Sequence, residues 1–159
     1  QPPTKRRPRI LLGVTGSVAA IKCPEISLKL VEEQSCDVKI LLTQGGTNFF
    51  GDKSKKYNPQ LWERFTTKLR CDDDDDDNND NDDDGPHIEV IQPDDEWKGW
   101  NEIGDPVLHI QLRNWADVLI IAPLSAHTLS KICHGLCDDT LSCVVRAWDF
   151  SVMTKPIVL

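Results

Sequence analysis

Short apolar runs, each closed by small polar residues, alternate along the chain with stretches whose apolar positions recur three and four apart. The first run, Arg9 to Thr15 (RILLGVT), suits a strand buried on both faces. Val18 to Glu33 is predicted as a helix, with Lys22, Glu25, Lys29, Glu32 and Glu33 on one side and Ile21, Ile26, Leu28, Leu30 and Val31 over the rest. Pro24 falls in its first turns, where proline is tolerated. Asp37 to Thr43 (DVKILLT) is a second strand. Strand, helix and strand within about 35 residues form a βαβ unit, which implies parallel pairing and a right-handed crossover.

Gln44 to Phe50 is a loop or a short helix, and Asn58 to Leu69 a helix with Leu61, Trp62 and Phe65 inward. Ile88 to Ile91 is a short strand, Pro106 to Trp115 a helix, and Asp117 to Ala122 the clearest buried strand. Thr128 to His134 and Asp139 to Trp148 are predicted helices separated by Gly135, a natural helix stop. Pro156 to Leu159 opens a last strand. This alternation predicts an α/β fold, a doubly wound parallel sheet in a Rossmann/flavodoxin-like three-layer sandwich. Such sheets bind ligands at the carboxyl ends of neighbouring strands.

Charge changes the picture in one place. The chain of 159 residues carries a formal charge of −8, but ten aspartates lie in 72–84, and the rest of the chain stands at +2. That acidic stretch has no apolar residue to bury and repels itself, so it is expected to be disordered and solvated. No basic stripe remains beyond Lys5-Arg6-Arg7 and Lys53 to Lys56, which argues against nucleic-acid binding. No apolar run approaches the roughly 20 residues of a membrane span. The six cysteines are expected to be reduced thiols in a cytoplasmic protein. The spacing of Cys133, His134, Cys137 and Cys143 lacks the paired C-x-x-C arrangement, so no metal is expected.

Three polar loops close strands. Gly13 to Ala19 combines glycines with a following helix start, suited to a phosphate or to a tight turn without ligand. It is not the dinucleotide fingerprint, and the second strand ends in Leu42-Thr43-Gln44 without an acid for an adenosine ribose. Ser125-Ala126-His127-Thr128 is a helix cap or a ligand loop. His109, between Leu108 and Ile110, is by its residues alone either a core histidine or a general base.

The stretches GVTGSVAAIK, DPVLHIQLRNWADVLIIAPLSAHTLSKICHGLCDD and TLSCVVRAWD closely resemble the phosphopantothenoylcysteine decarboxylases, within the flavin-containing cysteine decarboxylase family. EWKGWNEIGDPVLHI resembles the eukaryotic, halotolerance-protein-like branch, whose members can also inhibit a type-1-like protein phosphatase. The resemblance implies FMN-dependent decarboxylation of a small-molecule substrate, 4'-phosphopantothenoyl-cysteine, to 4'-phosphopantetheine in coenzyme A biosynthesis. In the family FMN oxidises the cysteinyl side to a thioaldehyde, the adjacent carboxylate leaves, and the hydride returns.

By the same resemblance His109 is the catalytic histidine. Gly16, Ser17 and Val18 fall on the flavin-phosphate turn, Thr43 on a flavin-contacting loop, and Ser125, Ala126, His127 and Thr128 on the flavin and substrate loop. His127 stands where the family has Asn, and Asp139 where Cys-Asp-Asn is usual. A homotrimer is implied, with FMN at the subunit contact, through the helices around His109 to Trp115 and Thr140 to Trp148. The organisation expected is a basic disordered start over 1–8, then one flavoprotein domain over 9–159, interrupted by a disordered acidic insert at 71–86. The family's Pro-x-Met-Asn-x-x-Met-Trp motif and proton-donating cysteine are expected beyond Leu159, which makes this an amino-terminal part.

Overall fold

A computed structural model of the protein describes residues 6–70, 85–98, 100–151 and 155–159. Five strands form one parallel sheet: β1 (Arg9–Val14), β2 (Asp37–Leu42), β3 (Ile88–Ile91), β4 (Val118–Ile121) and β5 (Ile157–Val158). Their order across the sheet is β3-β2-β1-β4-β5, the doubly wound arrangement expected from the alternation of runs. β1 lies at the centre, with Leu12 opposite Ile40 on one side and Ile120 on the other.

Side chains alternate across a strand, so one apolar run feeds two cores. Ile10, Leu12, Val14, Val38, Ile40 and Leu42 join one core with Leu28, Val31 and Phe65. These last three come from α1 (Cys23–Gln34) and α4 (Pro59–Thr66). Leu11, Leu41, Leu119 and Ile121 join the other, with Leu112, Leu141, Val144 and Val145. Those come from α5 (Leu108–Trp115) and α7 (Thr140–Ala147). Each face of the sheet is thus covered, which is why these strands carry continuous apolar runs.

The helix predicted from Val18 is two elements. A 3-10 helix spans Val18–Lys22, and α1 begins at Cys23 with Pro24 in its first turn. Proline lacks the N–H that a continuous α-helix would need there, so the break falls just before it. Thr43 lies outside β2 and caps α2 (Gln44–Thr47) instead. The pattern of apolar positions gave no sign of α3 (Asp52–Tyr57, DKSKKY), which is polar throughout and buries only Ser54. Ser125 caps α6 (Ala126–Cys133), two residues earlier than the predicted helix start. A second 3-10 helix, Pro93–Trp97, links β3 to the segment before α5.

Arg6 and Arg7, within the stretch 1–8, hold the amino-terminal edge of the sheet. Arg6 makes a two-pronged pair with Asp117 at 2.7 and 2.6 Å, and Arg7 pairs with Asp37 at 3.1 Å. Residues 1–5 and 71–84 lie outside the described residues, and with them nearly all of the expected acidic insert.

Candidate functional site

The order of strands reverses at β1, so the loops after β1 and β4 part there and leave a crevice. Thr15, fully buried, ties those loops together. Its hydroxyl donates to the Pro123 carbonyl at 2.7 Å and accepts from the Ser125 N–H at 2.7 Å. On the other side the β1 and β2 loops meet backbone to backbone. A Cβ on Gly16 would sit 3.2 Å from the Gly45 Cα, and one on Gly46 would overlap the Val14 carbonyl oxygen. Side chains at these two glycines would push the loops apart, so their small size sets the floor of the crevice.

A cleft of about 410 Å³ lies between the loops, within the range of about 300–1,000 Å³ usual for small-molecule sites. Gly16, Thr43, Asn48, Phe49, Ser125, His127, Thr128 and Lys131 line it. Most of its hydroxyls are already committed. Thr43 donates to the Val14 carbonyl at 3.3 Å and accepts from the Gly46 N–H at 3.2 Å. Ser125 accepts from the Thr128 N–H at 3.2 Å and donates to its hydroxyl at 3.1 Å. The first N–H groups of an α-helix have no intrahelical acceptor, and the start of α6 offers them to this cleft.

Lys131 supplies a buried cation, but it is matched twice over. Its ammonium lies 2.5 Å from both Asp138 and Asp139. Burial works against that charge, yet the two carboxylate bonds outweigh it and hold the pKa above the ordinary lysine value. The Lys131 bond in turn holds the Asp138 carboxyl below its usual range. Asp139 caps α7, accepting from the Ser142 N–H at 2.8 Å, a role that Asp and Asn fill equally. The extra charge at this position is therefore met by Lys131.

A second cleft, of about 440 Å³, adjoins the first and shares Gln44, Asp138 and Asp139 with it. It holds His109, in the first turn of α5, together with Glu96, Trp97, Thr140 and Cys143. His109 is half-buried, not fully enclosed as a core histidine would be. Its Nδ1 lies 2.5 Å from the Oε1 of Glu96, and its side chain is 23% exposed against 8% for Glu96. Burial first, and then nearby negative charge including that of Glu96, push the Cys143 thiol up.

Of the site residues expected from the sequence, Gly16, Thr43, Ser125, His127 and Thr128 line the first cleft and His109 the second. Ser17, Val18 and Ala126 adjoin the first cleft without lining it; Ser17 caps the 3-10 helix at Val18–Lys22. Sequence reasoning missed Glu96 and Lys131. The one signal for Lys131 was its spacing from the Asp138-Asp139 pair across Gly135, whose φ of 69° turns the chain back.

The whole of residues 1–159 matches the Flavoprotein family. Phosphopantothenoylcysteine decarboxylase of Arabidopsis thaliana is 41% identical over 154 residues, covering 97% of this chain and 57% of the relative. A solved structure of a cysteine-to-serine PPC decarboxylase mutant, complexed with pantothenoylaminoethenethiol, superposes with a TM-score of 0.68 at 40% identity. The alignment covers 96% of this chain and 65% of that one. The FMN binding protein AtHal3 superposes with a TM-score of 0.67 at 39% identity, with the same coverage of 96% and 65%. The chain spans less than two thirds of the length of these proteins. With a match across its length, a doubly wound sheet and a cleft at the reversal of strand order, the chain belongs to the Flavoprotein family.

Proposed function

We propose that the protein decarboxylates 4'-phosphopantothenoyl-cysteine to 4'-phosphopantetheine, with FMN held in the first cleft and His109 as the catalytic group in the second. The observation that carries this reading is that the histidine's cleft adjoins the switch-point cleft, sharing three lining residues with it. The likeness to phosphopantothenoylcysteine decarboxylases and to an FMN binding protein supports it.

The residues present fit a flavin mononucleotide. Gly16 lets backbone approach closely, Phe49 offers an apolar wall, and the start of α6 offers N–H groups to a phosphate. Lys131 is already matched by two carboxylates, so a phosphate here rests on backbone N–H groups rather than on that cation. Gly16, Ser17, Val18, Thr43, Ser125, Ala126, His127 and Thr128 are the residues assigned to holding FMN. When bound, FMN takes an electron pair from the substrate and gives it back. The chain's own part is to position the substrate carboxylate and thiol beside His109, to hold a proton on its imidazole, and to keep water from the joined clefts.

A homotrimer in the cytoplasm belongs to the same proposal. Ile110, on α5, one of the two helices expected at the subunit contact, is a large apolar residue left exposed, which supports this reading. Inhibition of a type-1-like protein phosphatase is the second reading, and it rests on the halotolerance-like stretch EWKGWNEIGDPVLHI.

The test uses the full-length protein, with flavin absorbance and carbon dioxide release from 4'-phosphopantothenoyl-cysteine as readouts. His109→Asn is expected to keep FMN and to lose release by about 100-fold or more. Bound FMN without release, in the native protein and in His127→Asn alike, would sink the enzyme reading and leave phosphatase inhibition as the activity to assay.

A further inference from the structure

Glu96 makes an unusual choice for a buried position. It is 8% exposed, one carboxylate oxygen bonds His109, and the other, Oε2, has no hydrogen-bond partner among the described residues. A buried carboxylate with an idle oxygen costs free energy that an apolar residue of similar size would not. Its backbone position is nonetheless well defined. Pro93 starts the 3-10 helix, and Gln92 and Asp95 close a capping box around its first turn, with the Gln92 N–H donating to Asp95 at 2.6 Å. That turn packs against α5 and delivers Glu96 to the Nδ1 side of the imidazole. Thr140, whose Oγ1 is likewise buried without a partner among the described residues, lines the same cleft.

We infer that Glu96 is a positioning residue for His109: its carboxylate takes the Nδ1–H, which leaves Nε2 as the nitrogen that exchanges a proton with substrate. An ionised carboxylate only accepts, so Nδ1 must donate and the neutral imidazole is held as one tautomer. When Nε2 accepts a proton, the ring gains a positive charge, and the carboxylate 2.5 Å away offsets it. The proton stays on Nε2 and leaves from it, while Glu96 keeps its hydrogen bond to Nδ1. This assignment rests on the catalytic role proposed for His109.

Two measurements test it. Nitrogen-15 NMR of the histidine rings, with the His109 signal assigned by its loss in His109→Asn, reads the tautomer in the native full-length protein without substrate or turnover. Protonated Nδ1 with bare Nε2 is expected in the native protein and in Glu96→Gln, whose amide oxygen can still accept. Glu96→Ala is expected to move the ring towards the Nε2–H form. Steady-state kinetics should then show kcat lower by about 10- to 100-fold in Glu96→Ala, with KM changed far less and Glu96→Gln in between. A native ring protonated on Nε2 alone overturns the assignment, even if Glu96→Ala does not fold. So does a Glu96→Gln or Glu96→Ala protein with native kcat. If His109→Asn decarboxylates normally, it is instead the proposed role of His109 that fails, whatever tautomer the ring holds.

Discussion

The hydroxyl of Thr15 accepts the Ser125 N–H at 2.7 Å, one of the bonds through which the end of β1 sets where the β4 loop begins. The same hydroxyl donates to Pro123 at 2.7 Å, so both its donor and an acceptor lone pair are used in a fully buried place. Thr15→Val keeps the shape and removes both bonds, leaving the buried Ser125 N–H without its acceptor, while the Pro123 carbonyl keeps only the Thr15 backbone N–H at 3.2 Å. It should cost about 1–3 kcal/mol of stability by urea unfolding. It should also weaken FMN binding, because Ser125 and Thr128 hang from the displaced loop. Thr15→Ser keeps the hydroxyl and should recover most of both losses.

Gly46 and Val14 set the opposite wall. A methyl group on Gly46 would overlap the Val14 carbonyl oxygen, which is backbone and cannot swing aside. Val14 is itself central, accepting the Thr43 N–H at 3.0 Å through that oxygen. Gly46→Ala should therefore destabilise the fold by about 1–3 kcal/mol in thermal unfolding. Gly51→Ala serves as contrast. Its φ of 78° and ψ of −119° disfavour any residue with a Cβ, but nothing lies within 4 Å of the added carbon, so its cost, about 1–3 kcal/mol, comes from backbone strain alone.

The strands were legible because each is a short apolar run bounded by polar residues, and burial on both faces demands that pattern. The loops at their ends were legible as candidate sites for the same reason: once the sheet is placed, its carboxyl edge is placed. Glu96 was not legible. In Pro93-Asp94-Asp95-Glu96-Trp97 it is one acid of three, and such a run ordinarily faces solvent. It is buried because a 3-10 turn presents it to α5, which is a tertiary fact. Lys131 was missed similarly. A lysine within a short helix suggests a surface position, and only the turn at Gly135 brings Asp138 and Asp139 back against it. The polar helix α3 has no apolar period to announce it.

Asp117 gives the acid limb of stability a definite sign. The hydrogen bond from Arg6 holds its carboxyl below the ordinary value near 3.8, against the opposing effect of burial, with help from the Arg9 N–H. Between the folded and unfolded values the unfolded chain binds more protons, so stability rises with pH there. The contribution is present above about pH 4 and is lost as pH falls through the depressed folded value. Arg6→Ala removes the largest cause, so the folded value rises towards the unfolded one and this acid-side loss should shrink. The effect should be modest, since the pair is partly exposed, at 58% and 31%. Unfolding curves at several values between about pH 5 and about pH 2 would show it, and identical curves for both proteins would count against the pair.

Cys23 reports on the packing behind the β1 loop. It opens α1, is fully buried, and lies 3.9 Å from the Ser27 hydroxyl. Burial pushes its thiol up to about 12, and the Ser27 bond only partly offsets this. Cys133 and Cys137 are exposed. The thiolate is the form that attacks Ellman's reagent, so at about pH 8 Cys133 and Cys137 should react first. Cys23 should react at least about 100-fold more slowly, at a rate set by opening of the fold. In urea that difference should vanish. If peptide mapping finds Cys23 modified as fast as Cys133 in the native protein, α1 does not close over β1 as described. The Val18–Lys22 turn would then lose its support, and Gly16 would no longer be held against Gly45.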